Sequence, residues 1–353
     1  MQELPITFCC CPNASSEPLQ LLDLGYYPAS GKRPWTVFTF RALDDFLLTN
    51  KECKVSPRNY YNFLWRKSNS AFPHMVPDRY KALLRASRQW RNLKLRKWAG
   101  FGHTKESIGP SDLTVRCPSC PRPDVNLPDN WREDPEQWKY TLSVVLDGNF
   151  SAQHRQMRNP EDDVPLADGH GFMVKDHPYK EHLKTAVEIK QTPTCNDHRA
   201  ALNSDLGRSK LEQRNMDYVV HWILAFLFGL TRILILYDIM CQYSVHLCRR
   251  FQESPHLAMP SGLQILRGIG QFHIHGHITQ CFPRFSSNFI PGIGMQDGEI
   301  LETLWAKINP SGSSTRGMSS VHRREVIDDH MNDSNWMKLT RISECPLPGP
   351  HHH

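Results

Sequence analysis

Two short apolar runs, each ending in an aspartate, constrain the fold of this 353-residue chain most strongly. The first is Leu142–Phe150, LSVVLDGNF, in which aliphatic residues lead into Asp147. The second is Ile233–Ile239, ILILYDI, which leads into Asp238. Each pattern predicts a buried strand followed by a turn. Ligands of α/β sheets gather at the carboxyl ends of strands, so both acids are predicted to enter one site. The alternative is that each aspartate only forms a turn or caps a helix.

A third acidic element is the segment 297–305, DGEILETLW, which is predicted to be helical. Glu299 and Glu302 lie three residues apart and therefore share one face of that helix. Together with Asp147 and Asp238, one of these glutamates would complete the carboxylate set that two divalent cations need for phosphoryl transfer. The pattern leaves the choice between the two glutamates open.

Composition restricts the class of protein. A length of 353 residues is enough for two or three domains, and an apolar content of 39% with 22% charged residues predicts a globular chain. A net charge of +6 permits a polyanionic partner without requiring one. Eleven cysteines without a secretory leader predict a reducing compartment. The apolar stretch Val219–Tyr237 contains Gly229 and Arg232, so we interpret it as a buried helix followed by a strand, not as a membrane span.

The clearest predicted helix covers 78–99, where eight basic residues accompany a single acid, Asp78. Leucine and aromatic residues supply its apolar stripe. A basic face is commonly just solvated, but a helix with so few acids can also lie along nucleic-acid phosphates. The residues predicted to contact DNA are Arg85, Arg88, Arg91 and Lys94.

Cysteine and histidine spacings indicate two candidate metal sites. Cys117 and Cys120 are separated by two residues, as are Cys195 and His198, and this spacing lets both side chains of a pair reach one zinc ion. The two pairs could form one four-ligand site or remain unrelated loop residues. The segment 271–281, QFHIHGHITQC, is predicted to be a strand with alternate histidines on one face, either as metal ligands or as a surface ladder. These histidines are His273, His275 and His277.

Several longer phrases follow the same order along the chain. In the second part they are LDGNFSAQHRQMRNPEDDVPLADGHGFMV (146–174), LYDIMCQY (236–243), GIGQFHIHGH (268–277), DGEILETLWA (297–306) and STRGMSSVHRREVIDDHMNDSNW (314–336). These phrases resemble the KDZ (Kyakuja-Dileera-Zisupton) transposases. Two upstream phrases are similar to the cysteine-cluster domain associated with those transposases and to the segment that joins it to the catalytic core: YYPASGKRPWTVFTFRALDDF (26–46) and CPSCPRPDVNLPDNW (117–131).

The resemblance implies an α/β fold with a ribonuclease-H-like mixed sheet flanked by helices, preceded by a mostly helical amino-terminal region. It also implies a DDE-type reaction in the nucleus, in which Mg²⁺ or Mn²⁺ supports cleavage and strand transfer at transposon ends. By position, Asp147 and Asp238 resemble the first and second acids. Glu302 is favoured over Glu299 as the third, and Zn²⁺ is a second metal expected in the chain.

The resemblance also implies a domain order. The expected parts are a cysteine-cluster remnant at 1–35, a helical and basic DNA-contacting region at 36–110, a transposase core at 111–340 that is shortened between about 199 and 230, and a tail at 341–353. Where the family usually carries a further Cys/His-rich insert, this chain has only NSDLGRSKLEQR. Two expectations therefore stand: an active transposase, or a truncated or inactive copy that binds DNA without cleaving it. The oligomeric state is left open.

Overall fold

The computed structural model describes residues 1–149, 154–155, 157, 159, 162–186, 189, 195, 209–227 and 229–342. Its helices are α1 (Glu17–Asp23), α2 (Phe40–Glu52), α3 (Pro57–Ser68), α4 (Tyr80–Trp98), α5 (Asp176–Thr185), α6 (Ser209–Leu224), α7 (Met240–Tyr243), α8 (Leu247–Glu253), α9 (Phe282–Phe285), α10 (Ile300–Ile308), α11 (Gly312–Thr315) and α12 (Ser320–Thr340). Its strands are β1 (Tyr26–Pro28), β2 (Val37–Thr39), β3 (Leu142–Leu146), β4 (Arg232–Tyr237) and β5 (Gln264–Gly268).

The chain divides into two compact units. The first is built from described residues within Met1–Val115, Ser151–Met173 and Ile308–Lys338, and the second from described residues within Arg116–Phe150, Val174–Lys307 and Leu339–His353. These units follow packing alone, so the domain order expected from the sequence stays a prediction.

The first unit is mainly helical, as the sequence predicts. The helix α2 begins after Thr39, whose hydroxyl accepts a hydrogen bond from the Ala42 N–H. The helix α3 begins after Ser56, which caps it in the same way, with Pro57 at its first turn. Such caps satisfy amide donors that have no partner inside the helix. The two helices and α4 enclose a core formed by Leu43, Phe46, Leu47, Tyr60, Tyr61, Leu83 and Ala86.

The second unit contains a three-stranded parallel sheet in the order β3-β4-β5. The central strand β4 is buried along almost its whole length, which explains its continuous run of Ile and Leu. A mixed sheet was expected, but the strands described in this unit all run in parallel. Parallel neighbours place all their carboxyl ends at one edge, and this edge carries the candidate site.

The apolar stretch Val219–Tyr237 forms the end of a helix, a break and the strand β4, as predicted. The helix α6 ends at Leu224, Gly229 adopts a left-handed φ of +88°, and β4 begins at Arg232. A glycine tolerates that conformation because it has no Cβ. Within the described part of the chain, no helix is both long and apolar enough to cross a bilayer.

The histidine-rich segment 271–281 is not the predicted strand. The strand β5 has already ended at Gly268, and the chain continues as two 3₁₀ turns, His273–Gly276 and Thr279–Cys281. The Gly270 carbonyl accepts the Ile274 N–H at 2.9 Å, so local turns replace sheet pairing here. Because the backbone turns, the alternate histidines do not share a face, and they enter different environments.

Candidate active site

Asp147 and Asp238 leave the sheet side by side. The strands β3 and β4 are parallel neighbours whose register pairs Leu146 with Tyr237, and each aspartate is the next residue along its strand. Neighbouring strands are about 4.8 Å apart, so the two carboxyl groups start from adjacent positions at one sheet edge. The predicted placement of the two acids on neighbouring strands is thereby confirmed, and their role as ligands stays a prediction.

The imidazole of His273 lies among three carboxylates at this edge. Its Nε2 is 3.6 Å from Asp238 Oδ2, 3.3 Å from Glu299 Oε2 and 3.7 Å from Glu302 Oε1. The ligand atoms of His273, Glu299 and Glu302 all lie within 4.8 Å of one another. The structure therefore brings both candidate glutamates to the second aspartate. His273 was predicted to lie on a strand, but it lies in a 3₁₀ turn that begins five residues after the end of β5, a strand that the sequence analysis did not predict.

Asp147 is oriented by the helix that carries Glu302. The indole Nε1–H of Trp305 donates a hydrogen bond to Asp147 Oδ2 at 2.7 Å, and the Gly148 N–H donates to Oδ1 at 2.6 Å. Trp305 follows Glu302 by three residues on α10, so both side chains point from one side of the helix. One helix thus supplies a carboxylate to the site and fixes the carboxylate that follows β3.

Two glycines allow the loop before α10 to reach the turn after β5. A Cβ at Gly298, whose φ is +79°, would stand 2.9 Å from the Cα of Gly270. A Cβ at Gly270 would collide with Glu299 Oε1. At this close approach the Phe272 N–H donates to Glu299 Oε1 at 3.1 Å, and the Gln271 N–H donates to the Asp297 carbonyl at 2.7 Å. The backbone contact is what positions Glu299 beside His273.

The clustered acids perturb one another. Burial raises the pKa of Asp238 to about 6; the neighbouring His273 opposes this rise, while Asp147, Glu299 and Glu302 add to it. Burial also raises the pKa of Glu299. Burial and like charges both favour the protonated form of a carboxyl group, and a bound cation has the opposite effect. The site is therefore electrostatically strained when its acids are ionised.

The raised pKa of Asp238 predicts a pH-dependent difference in stability between wild type and a variant that lacks this carboxyl group. The folded-state pKa of Asp238 is about 6 and its ordinary value is 3.8, so the folded chain binds the additional proton between these values. Stability from this group therefore falls as pH rises through that window. We expect Asp238→Asn, in the presence of EDTA, to melt above wild type near pH 7.5 and to match it near pH 4.

Differential scanning fluorimetry across that pH range measures the difference. Glu253→Gln is the control, because Glu253 is a surface acid on α8 that pairs with the exposed Arg249. A Tm difference between Asp238→Asn and wild type that stays constant with pH would contradict the electrostatic interpretation.

The predicted zinc ligands are placed differently from the expectation. Cys195 is buried beside Cys241, His277 and Cys281, and not with the Cys117 and Cys120 pair. Those two cysteines lie next to each other, where burial and then the neighbouring Cys117 raise the pKa of Cys120 to about 11. His198 lies outside the described residues. The predicted four-ligand set is thus corrected for Cys195, whose neighbours come from distant parts of the sequence.

The three histidines of the segment 271–281 lie in three different environments. His273 joins the acids, and His277 joins the buried cysteines. His275 packs against the ring of Phe282, with ring centroids 5.7 Å apart. The prediction of one shared metal-binding face is therefore wrong, because the 3₁₀ turn rotates successive side chains away from the alternation that a strand would give.

Most of the predicted DNA contacts on α4 form ion pairs inside the first unit. Arg88 makes a two-pronged contact with Glu325, at 2.5 and 2.9 Å. Arg91 Nε is 3.2 Å from Asp329 Oδ2, and both side chains are buried. Lys94 Nζ is 3.0 Å from Asp44 Oδ1. The acids that neutralise these cations lie outside the sequence of α4. The sequence of the helix alone therefore indicated a positive charge without balancing acids.

Arg85 is the predicted contact that remains exposed on α4. It lines a groove of about 390 Å³ together with Arg33, Arg79 and Lys81. Trp35 also lines this groove, and its side chain is 93% exposed. Cations with an accessible aromatic ring are the side chains that contact phosphates and stack on bases.

The second unit thus defines an α/β protein with acids clustered at the carboxyl edge of a parallel sheet. Residues 204–335 match the family model of the Kyakuja-Dileera-Zisupton transposase. Residues 1–71 match the CxC2 like cysteine cluster associated with KDZ transposases. The chain thus carries a region similar to the KDZ transposase domain and a region similar to its associated cysteine cluster, as its motifs indicated. No significant match was found among curated proteins or among solved structures.

Proposed function

We propose that this chain is a DDE-type DNA transposase with a ribonuclease-H-like core, which cleaves DNA and transfers strands through Asp147, Asp238 and Glu302. The observation that carries the proposal is the register of β3 and β4, which sets two acids side by side while α10 adds a glutamate. The similarity to the KDZ transposase domain supports a transposase-related function. The proposed substrate is DNA at transposon ends, and the proposed working compartment is the nucleus.

The donor set suits a hard divalent cation. Carboxylate oxygens are the ligands that Mg²⁺ and Mn²⁺ prefer, and the raised pKa of Asp238 reflects a crowding of acids that positive charge relieves. Asp147, Asp238 and Glu302 would hold such an ion. When bound, it would polarise a phosphodiester as a Lewis acid.

The remaining side chains of the site position these acids. Trp305 holds Asp147 Oδ2, which fixes the direction of that carboxylate. Glu299 accepts the Phe272 N–H and so ties the loop before α10 to the turn that carries His273. A proton on His273 Nε2 would let the imidazole bridge neighbouring carboxylates, because three of them lie within reach of this atom.

Nicking of supercoiled plasmid tests the proposal. The full chain should convert the plasmid to its open-circular form with Mn²⁺ or Mg²⁺ and not with EDTA. Asp238→Asn should lose this activity, whereas Glu253→Gln should keep it, because Glu253 lies on the surface of α8. Equal nicking by wild type and Asp238→Asn would overturn the assignment. Absence of nicking by a folded wild type would favour a copy that binds DNA without cleaving it.

Binding of DNA without cleavage is the second candidate function, and the groove of the first unit supports it. Four cations line this groove, together with a single acid, Asp78. The exposed ring of Trp35 adds a stacking surface that single-stranded nucleic acid can use. This function does not depend on the acids of the second unit.

Charge reversal in the groove gives a specific prediction. We expect Lys81→Glu with Arg85→Glu to weaken DNA binding to all sequences, because phosphate contacts carry no sequence information. Each lost contact should lower the slope of log affinity against log salt by about 0.9. Fluorescence anisotropy with two unrelated duplexes at several salt concentrations measures both effects.

The matched control reverses two exposed cations of α3 that lie outside the groove, Arg66→Glu with Lys67→Glu. This variant has the same net charge, so a general charge effect would weaken binding in both. An equal loss of DNA affinity in the two double variants would contradict the assignment of DNA binding to the groove.

A further inference from the structure

Four buried side chains of the second unit meet in one cluster. They are Cys195, Cys241, His277 and Cys281, and none is more than 8% exposed. Their ligand atoms all lie within 4.8 Å of one another. His277 Nδ1 is 3.5 Å from the sulfur of Cys195 and 3.4 Å from that of Cys241. Three sulfurs and one imidazole nitrogen therefore face a common centre.

The spacing of these atoms fits a tetrahedral metal site. With zinc–sulfur and zinc–nitrogen bonds of about 2.3 and 2.1 Å, a sulfur and a nitrogen on one zinc ion are about 3.6 Å apart. The two sulfur-to-nitrogen distances in the cluster agree with this edge. Three cysteines and a histidine are also a ligand set of closed, structural zinc sites.

A backbone contact at the cluster is of the kind found around metal ligands. The Ile278 N–H donates to the sulfur of Cys195 at 3.4 Å, and such outer contacts orient metal ligands. A bound zinc ion takes cysteine side chains as thiolates and stabilises their negative charge.

We propose that Cys195, Cys241, His277 and Cys281 bind one structural Zn²⁺ ion. The ion joins Cys195, the helix α7 and the turns that follow β5. Cys241 lies three residues after Asp238, and His277 lies four residues after His273. The same ion therefore holds in place the two short segments that carry Asp238 and His273. The zinc site requires no catalytic activity of the acidic cluster, which consists of Asp147, Asp238, Glu299 and Glu302.

Metal analysis of the purified full chain tests this proposal. Wild type is expected to contain one more equivalent of zinc than Cys241→Ser, as measured by inductively coupled plasma mass spectrometry. Cys248→Ser is the matched control, because Cys248 is an exposed cysteine on α8, and it should retain the wild-type content. Equal zinc content in wild type and Cys241→Ser would overturn the proposal.

A second measurement does not depend on how Cys241→Ser folds. The double variant Cys117→Ser with Cys120→Ser leaves the buried cluster intact while removing another close pair of cysteines of this unit. X-ray absorption at the zinc edge of this variant should report three sulfurs at about 2.3 Å and one nitrogen at about 2.0–2.1 Å. A shell dominated by oxygen or nitrogen, or loss of all zinc from this variant, would contradict the assignment. Because neither readout involves DNA, the outcome is separable from the proposed nuclease activity.

Discussion

Replacing Glu302 by glutamine is expected to abolish metal-dependent nicking while leaving the melting temperature unchanged. The Glu302 side chain is 52% exposed, so its carboxylate contributes little to packing. Its position 3.7 Å from His273 nevertheless places it at the acidic cluster. The loss should exceed the roughly 10–100-fold effect typical of residues that only support a metal ligand. Nicking rates with Mn²⁺ and thermal melting of the same preparations measure the two expectations.

Glu299→Gln is the internal comparison for that result. Glu299 is less exposed than Glu302, and its Oε1 accepts the Phe272 N–H at 3.1 Å. We expect this variant to lose activity only in part and not to melt below wild type, because glutamine keeps an oxygen that can accept the Phe272 N–H while one charge is removed from the crowded acids. Complete loss for Glu299→Gln with residual activity for Glu302→Gln would identify Glu299 as the third acid.

The second large effect is expected in the first unit, at Asp329. This carboxylate is 2% exposed and lies 3.1 Å from Lys51 Nζ and 3.2 Å from Arg91 Nε, which are also buried. Replacing it by asparagine removes the counter-charge of Arg91 and leaves Lys51 paired with Asp333, whose Oδ1 is 3.7 Å from Lys51 Nζ. Removing one partner of a buried ion pair costs about 3–5 kcal/mol, and we expect Asp329→Asn to lower the free energy of unfolding by that amount.

Urea denaturation followed by circular dichroism measures the change. Asp176→Asn is the control, because its pair with Lys180 is largely exposed and such pairs contribute about 0–1 kcal/mol. If Asp329→Asn unfolds within about 1 kcal/mol of wild type, the buried network does not stabilise the fold in the way its geometry indicates.

The strands β3 and β4 and the two aspartates that follow them were predictable because their determinants are local, whereas β5 was not predicted. A run of Ile and Leu that ends in an acid specifies a buried strand and the residue at its end, and β4 retains that pattern over Arg232–Tyr237. The placement of both acids at one edge then follows from parallel pairing. The strands described in the second unit pair in parallel and not as the expected mixed sheet, because the direction of a strand pair depends on connections that such short patterns do not specify.

The clusters of proposed metal ligands were less predictable because their members come from distant segments. Cys195, Cys241 and His277 are separated by dozens of residues, and no short spacing joins them. The one local signal was the three-residue gap between His277 and Cys281, inside a segment whose alternating histidines favoured a strand. The first of the 3₁₀ turns in that segment is closed by the hydrogen bond from the His277 N–H to the Ile274 carbonyl, at 3.2 Å.

The ion pairs of the basic helix α4 were unpredictable for the same reason, because their partners lie in distant segments. Within α4 the count of cations suggested an unpaired face, but Arg88 and Arg91 meet acids of α12 near the other end of the chain. Long-range pairing cannot be seen in a window of twenty residues. Exposure separates the two kinds of cation: Arg85 is exposed, whereas Arg91 is buried in the network with Asp329.

The contact between Gly270 and Gly298 indicates one way in which a mutated copy of the gene for this protein can lose the arrangement of the site. A methyl group at either position would push the loop before α10 away from the turn after β5. A copy could therefore retain every acid of the cluster and still lose the arrangement through one codon change at a glycine. When related copies are compared, these two glycines give a marker of an intact site that is independent of the acids themselves. An inventory of acids alone would count such a damaged copy as functional.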